Sequence, residues 1–374
     1  MNAADNLTVD QRTRLAWARI AEPDDPTARA MIAEHGHVEA LEMARNGVSG
    51  RPRASAERFA SRLRELNVER DVEITGKVGA RVLFPSDEEW PDGVDALEYP
   101  PWCLWVKGSA HLSLSATSQR SAAIVGARAS TSYGEYVAAE LAAGLVSRGF
   151  AVISGAAFGI DAAAHRGALA CDGDTIAVVA GGVERPYPAA HASLLARIAE
   201  VGAVVSEVPP GSAPTRTRFL ARNRLIAALS SGTVIVEAGL RSGSRSTVTH
   251  ALKLLRPVAA VPGPITSMVS AGCHEEIRQG RAALVTDAAE VAELLGQIGD
   301  DLAPAKQGAV KPSDELDPDT FRVWQAMPTR RCTTVDALTQ IAGLSVADVM
   351  GALGQLEASQ MARRGPQGWQ RCAP

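Results

Sequence analysis

Between residues 120 and 298, short β-rich runs alternate with helical stretches. AAIVG, AVISG, TIAVVAG, AVVSE, TVIVEA, PVAAVPG and AALVT each precede a helical pattern, directly or after a loop. Runs this apolar leave neither face for water, so they belong to parallel strands covered on both sides by crossover helices. Right-handed crossovers of that kind wind an open sheet. The expected class is α/β, with a doubly wound Rossmann-like parallel sheet.

The flanks read differently. LTVDQRTRLAWARI and SAERFASRLRELN place apolar residues at three- and four-residue spacing, interrupted by EPDDP and NGVSGRPR. Residues 1–75 are therefore expected to form a small helical domain of the helix-hairpin-helix or sterile-alpha-motif kind. A Trp- and Pro-rich connector over 76–118 packs as a collar and opens the domain that runs over 76–298, with CLWVKG as an edge strand. The Pro-, Asp- and Gly-rich segment 299–318 reads as a linker. Three helical stretches and a hairpin around Gly365 to Gly368 then outline a winged-helix domain over 319–374.

Charge is uneven along the chain. The formal net charge is −4, which by itself disfavours indiscriminate binding to phosphates. From Pro210 to Pro257, however, Arg216, Arg218, Arg222, Arg224, Arg241, Arg245, Lys253 and Arg256 face the single acid Glu237. That segment is where a local anion site is expected. The five cysteines are scattered and form no CxxC pair, which points to reduced thiols, and no run approaches the ~20 apolar residues of a membrane span. With no secretory pattern at the N-terminus, a cytoplasmic protein is expected.

Ligands of open α/β sheets sit beyond the carboxyl ends of the strands. After the first run come Gly126, Ala127 and Arg128, then hydroxyl residues that would cap a helix. This is not a G-x-G-x-x-G turn, and Ser154-Gly155 stands after the second run where a ribose-binding acid would be needed, so a dinucleotide is disfavoured. The second turn, from Ser154 through Phe158 and Gly159, leads to Asp161 and His165, four apart and able to hydrogen-bond each other. That pair reads as structural, because no nucleophile accompanies it. Gly181-Gly182 and Tyr187-Pro188 shape the rim of the cleft. Phe219, Arg222, Asn223 and Arg224 crowd the start of a helix, where arginine forks suit phosphates and the ring suits a base. Ser242, Gly243 and Ser244 precede another helix and again suit a phosphate. No nucleophile–base–oxyanion set is evident, and His35-x-His37 lacks the partners of a metal site. The expectation is a binding protein with no catalytic residue, metal or cofactor.

The motifs VGARASTSYG, SGAAFGIDAAAH, GG…YP, SEVPPG, FLARNRLIAALS, VIVEAGLRSGSRST and AVPG…GC, in this order, resemble the DprA (Smf) family of DNA-processing proteins over residues 99–285. The resemblance implies a protein that binds single-stranded DNA in its Rossmann-like domain, protects incoming strands during natural transformation, loads RecA and displaces single-strand-binding protein. It also implies a homodimer. Carried over by position, the DNA site comprises Arg128, Ser154, Gly155, Phe219, Arg222, Asn223, Arg224, Ser242, Gly243 and Ser244, to which the turn residues Gly126 and Phe158 are added. The sequence departs from the family pattern at Phe158, where a basic residue is common, at Arg245, where an aliphatic one is, and at His274-Glu275.

Two other readings stand beside this one. Phosphoribohydrolases of the same superfamily carry PGG-x-GT-x-x-E, but Glu237-Ala238-Gly239 replaces the PGG here and His250 follows Thr247 where the Glu would stand. The other reading is a scaffold whose winged helix reads duplex DNA. The stretch SVADVMGALGQLEA contains Asp348 and Glu357 and no Arg or Lys, which suits a protein partner better than a major groove. Arg363, Arg364 and Arg371 on the wing are the one hint of DNA there.

Overall fold

The structure is a computed structural model that describes residues 7–46, 53–112, 120–297, 299–306, 308 and 311–372. The NGVSGRPR interruption falls largely outside the described residues. The chain divides into two compact units, residues 1–304 and 305–374.

The apolar runs of the alternating region become β3 (Ser121–Val125), β4 (Ala151–Ser154), β5 (Thr175–Val178), β6 (Ala203–Ser206), β7 (Gly232–Ile235), β8 (Val258–Ala260) and β9 (Ala283–Leu284). All pair in parallel, and the sheet order is β6-β5-β4-β3-β7-β8-β9. Alternate residues serve opposite layers, as the two-residue repeat of a strand requires. Ala123 and Val125 of β3 join one core cluster with Leu225 to Leu229, Val248 and Ala251. Ala122 and Ile124 join the other, with Leu141, Leu145, Ile160 and Leu295. The strands progress outward from β3 in one direction and, after β6, from β7 in the other. The order therefore reverses between β3 and β7, and a crevice opens at their carboxyl ends.

CLWVKG departs from its expected place. It forms β2 (Leu104–Gly108), which lies inside the sheet, antiparallel to both β6 and a further strand β1 (Ala80–Leu83). The edge on this side is β1, hidden in the connector because it is four residues long and only its last residue is buried; β9 forms the opposite edge. Leu104, Trp105 and Val106 are buried, as an interior strand demands.

The N-terminal helices α1 (Val9–Ile20), α2 (Pro26–Asn46), α3 (Arg53–Arg64) and α4 (Val68–Lys77) share a core with this end of the sheet. Trp17 is fully buried, edge-on to Phe59 at 5.8 Å and beside Trp102 at 6.3 Å between ring centroids. The sequence boundary at 75/76 runs through that cluster. Within the expected linker, Asp301 is held by Arg120 at 2.7 and 3.0 Å. The second unit packs three helices, Pro318–Ala326, Val335–Ala342 and Val346–Ala358, with a hairpin of Ala362–Gly365 and Gly368–Arg371 around Val323, Leu338, Leu353 and Trp369. Among the described residues no single helix is long and apolar enough to cross a membrane.

Candidate nucleic-acid interface

Four helices frame the crevice: α5 (Ser132–Val146), α6 (Ile160–Ala170), α8 (Arg216–Ala228) and α9 (Ser244–Lys253), with α7 (Ala192–Val201) further along the sheet. The crevice is a groove of about 730 Å³ lined by Gly126, Arg128, Phe219, Arg222, Asn223 and the Ser242–Ser244 turn, among others. Gly126 is required there, since a Cβ would collide with the Ile160 side chain and the Glu237 carbonyl.

Two of the turns that looked open to anions are filled from within. The Glu237 carboxylate accepts the Thr131 amide at 2.9 Å and its hydroxyl at 2.6 Å, at the start of α5. After β4, the buried Asp161 carboxylate accepts the Gly155 amide at 3.2 Å and is approached by that of Ala157 at 3.5 Å. Asp161 does not bond His165, whose Nδ1 meets Thr175 Oγ1 at 2.7 Å instead. Burial, opposed by the nearby Arg222 charge, raises the Asp161 pKa. Burial and Arg222 push His165 down to about 3, which keeps it neutral near pH 7. Both residues serve the fold.

Ser154 and Gly155 accordingly lie beneath the groove and do not line it. The Ser154 hydroxyl is fully buried and donates to the Ile124 carbonyl at 2.6 Å. Gly155 gives room to Arg222, since a Cβ would strike that guanidinium. Phe158 is 48% exposed but leans on His191, with ring centroids 4.7 Å apart, outside the groove.

The third turn is open. Ser242 and Ser244 hydroxyls meet at 2.8 Å, Gly243 is exposed, and as N-cap of α9 it supplies no side chain, the Ser244 amide reaching Ser242 Oγ only at 3.4 Å. Helix N-termini of this kind attract anions.

Arg222, Asn223 and Arg224 do not sit at a helix start. Thr215 caps α8, accepting the Arg218 amide at 3.3 Å, so the FLARNR motif falls in the helix interior and packs against the sheet. Arg222 is 4% exposed and donates to the Val178 carbonyl; burial lowers its pKa to about 10, which leaves it charged at neutral pH. Asn223 donates to the Gly243 carbonyl at 3.2 Å and the Ser246 hydroxyl at 2.9 Å, fixing α9 against α8. Arg224, two residues beyond Arg222, points about 200° around the helix. It is buried in an ion pair with Glu207 and lies outside the groove.

Phe219 lines the groove half-buried, 5.4 Å from the Tyr187 ring, with the Arg128 guanidinium 4.6 Å above its own ring. Arg128, Arg216 and Arg241 are exposed on the groove, and none of them makes an ion pair or hydrogen bond among the described residues. Arg216 and Arg241 were not singled out as contacts from the sequence, although the basic run between Pro210 and Pro257 contains both.

The departures from the family pattern have local explanations. Arg245 pairs with the buried Glu276 at 2.6 Å, and His274 sits 3.0 Å from the Gly263 carbonyl. In the wing, Arg371 lies over the Trp324 ring. His37 receives the Trp17 indole N–H on its carbonyl, and no metal-binding group of three or more His, Cys, Asp or Glu occurs among the described residues.

Fold and groove define the class, a doubly wound Rossmann-like α/β protein with a C-terminal winged-helix domain and an arginine-lined groove at the sheet's switch point. Residues 81–296 match the family model for DNA recombination-mediator protein A, and residues 307–368 match that for the DprA winged helix domain. The chain belongs to the DprA (Smf) family. It is 44% identical to the DprA relative of Mycobacterium tuberculosis over 94% of this chain and 92% of that one. The DprA structure from Streptococcus pneumoniae superposes with a TM-score of 0.64 at 28% identity, covering 78% of this chain and 99% of that one. DprA from Helicobacter pylori, whose structure is described for its single-stranded DNA binding mode, gives a TM-score of 0.51 at 30% identity over 57% of this chain and 93% of that one.

Proposed function

We propose that the groove binds single-stranded DNA, with phosphates against Arg128, Arg216, Arg241 and the Ser242–Ser244 turn and a base against the Phe219–Arg128 pair. The observation that carries this reading is the set of exposed arginines without counter-charge around a half-buried ring. Phosphates would supply the missing charge, and stacking accepts any base. The single-stranded DNA binding described for the Helicobacter pylori relative supports it. On this reading the protein works in the cytoplasm as a homodimer. It covers incoming strands in transformation and passes them to RecA in place of single-strand-binding protein. Family membership supports those roles.

Catalysis is disfavoured by the use already made of Glu237. Its carboxylate is buried and occupied by Thr131, so it faces no ligand as a hydrolase base would. Fluorescence anisotropy of the full chain with a labelled strand, alone and annealed to its complement, tests the proposal. Tight, salt-sensitive binding of the single strand and much weaker binding of the duplex are expected. Equal affinity for both, or no binding of the single strand, overturns it.

A further inference from the structure

A second cavity, of about 690 Å³, lies on the far side of α8 from the groove. Leu220 lines both spaces and is 46% exposed. The partition between them is the bond from Asn223, which lines the groove, to Ser246, which lines the cavity. A chain leaving the groove over Leu220 therefore enters this cavity.

Its chemistry differs from that of the groove. Leu97, Leu220 and Leu254 supply apolar wall, and Tyr99 adds a ring. The carboxylates of Asp24 and Glu98 and the ammonium of Lys253 stand on the rim, all three exposed and without a hydrogen bond or ion pair among the described residues. Arg224 forms part of the inner wall, its charge balanced by Glu207 through Nη2, while its Nε and Nη1 have no hydrogen-bond partner among the described residues and remain to meet a base carbonyl. A phosphate would meet two unpaired carboxylates against one free cation. A nucleobase fits better, because it offers a flat apolar face to the leucines and Tyr99, and amino hydrogens to the carboxylates.

We propose that this cavity holds one base of a single strand whose neighbouring phosphates lie in the groove, and that it favours bases with an exocyclic amino group over thymine. The inference rests on the groove reading above. It also gives the N-terminal helical segment a part in binding, since Asp24 lies between α1 and α2.

The test uses the full chain and labelled oligodeoxycytidine and oligothymidine of about 12 nucleotides, within the range one binding fold covers. Wild type is expected to bind the cytidine strand at least about fivefold more tightly, the low end for one base-specific contact. The double variant Asp24→Asn, Glu98→Gln, which keeps side-chain size on an exposed rim, should bring that ratio towards one. Ala96→Trp, which fills the cavity from its exposed rim, should weaken the cytidine strand to the level of the thymidine strand, with a thermal melt confirming that the variant is folded. Equal wild-type affinity for the two strands, or a preference that survives the double variant, overturns the cavity while leaving the groove reading intact. Failure of wild type to bind either strand takes down both.

Discussion

Phe219 lines the groove with one face under the Arg128 guanidinium and its ring tilted against Tyr187, centroids 5.4 Å apart. It is half-buried, so it lacks the full enclosure of a core ring. Truncation to alanine should cost about 1–3 kcal/mol of single-strand binding, roughly five- to 150-fold, with little change in melting temperature. Phe219→Trp should keep most of the affinity, because the π-face survives. Anisotropy titration and a thermal melt on the same Phe219→Ala sample decide the matter. A large drop in melting temperature with affinity intact would return the ring to a packing role. Arg128 complicates the simple picture of a bare platform: a base must either displace this guanidinium or stack on it.

Helix α8 shows what one element can hide. Residues Arg222 and Arg224 read alike in sequence, as adjacent forks for phosphate, but the helix sends one to the buried floor of the groove, against the Val178 carbonyl, and the other into an ion pair with Glu207. The exposed arginines are Arg216, in the first turn of the same helix, and Arg241, in the loop before α9. Each phosphate contact contributes about 0.7 to the slope of log K against log salt for single strands. Arg216→Ala and Arg241→Ala should each lower that slope by roughly this amount. Arg224→Ala should leave the slope unchanged and destabilise the fold by about 3–5 kcal/mol, because it leaves Glu207 buried and unpaired. Titrations at several salt concentrations, paired with denaturant melts, separate the two outcomes, and a reduced slope in Arg224→Ala would place that residue on the strand.

The same contrast explains what the sequence made legible. Six of the parallel strands announce themselves because both faces are apolar and buried, and the winged helix because its turns and periodicity are local. AALVT reads the same way but ends as β9, an edge strand whose two residues are exposed, because among the described residues nothing pairs beyond it to cover them. The strand β1 has no such pattern, so CLWVKG looked like an edge. FLARNR carries the charge that looks like a helix start, whereas the cap is made four residues earlier than Phe219, by the Thr215 hydroxyl. For the site, residue type and turn chemistry pointed to the right loops. They did not reveal that Asp161 and Glu237 would occupy two of those turns, since a carboxylate six or a hundred positions away carries no local signal.

At the scale of the whole molecule, the buried groups beneath the groove tie stability to pH. His165 titrates at about 3 in the folded chain, against an ordinary value of 6.5. Between those values the unfolded chain takes up a proton that the folded chain refuses. Stability from this group is thus complete above the upper value and declines as pH falls towards the lower one, by up to about 1.4 kcal/mol per pH unit. Urea melts across that window should show a shallower acid decline in His165→Asn, which retains a donor for Thr175, than in wild type. Identical declines would mean that other groups dominate.

The carboxylates enclosed in the structure also alter how the molecule looks from a distance. The formal charge of −4 counts every acid equally. Glu237, Asp161, Glu207 and Glu276 are all buried, and Glu207 and Glu276 face arginines directly. An approaching polyanion senses the rim more than the interior, and at the mouth of the groove the rim is Arg128, Arg216 and Arg241. On the proposed reading, encounter with a strand is guided by this cationic mouth more than by the formal net charge. A local positive potential of that kind would raise the rate at which a polyanion meets this face, so a strand bound as proposed would be oriented by the mouth of the groove before close contact forms.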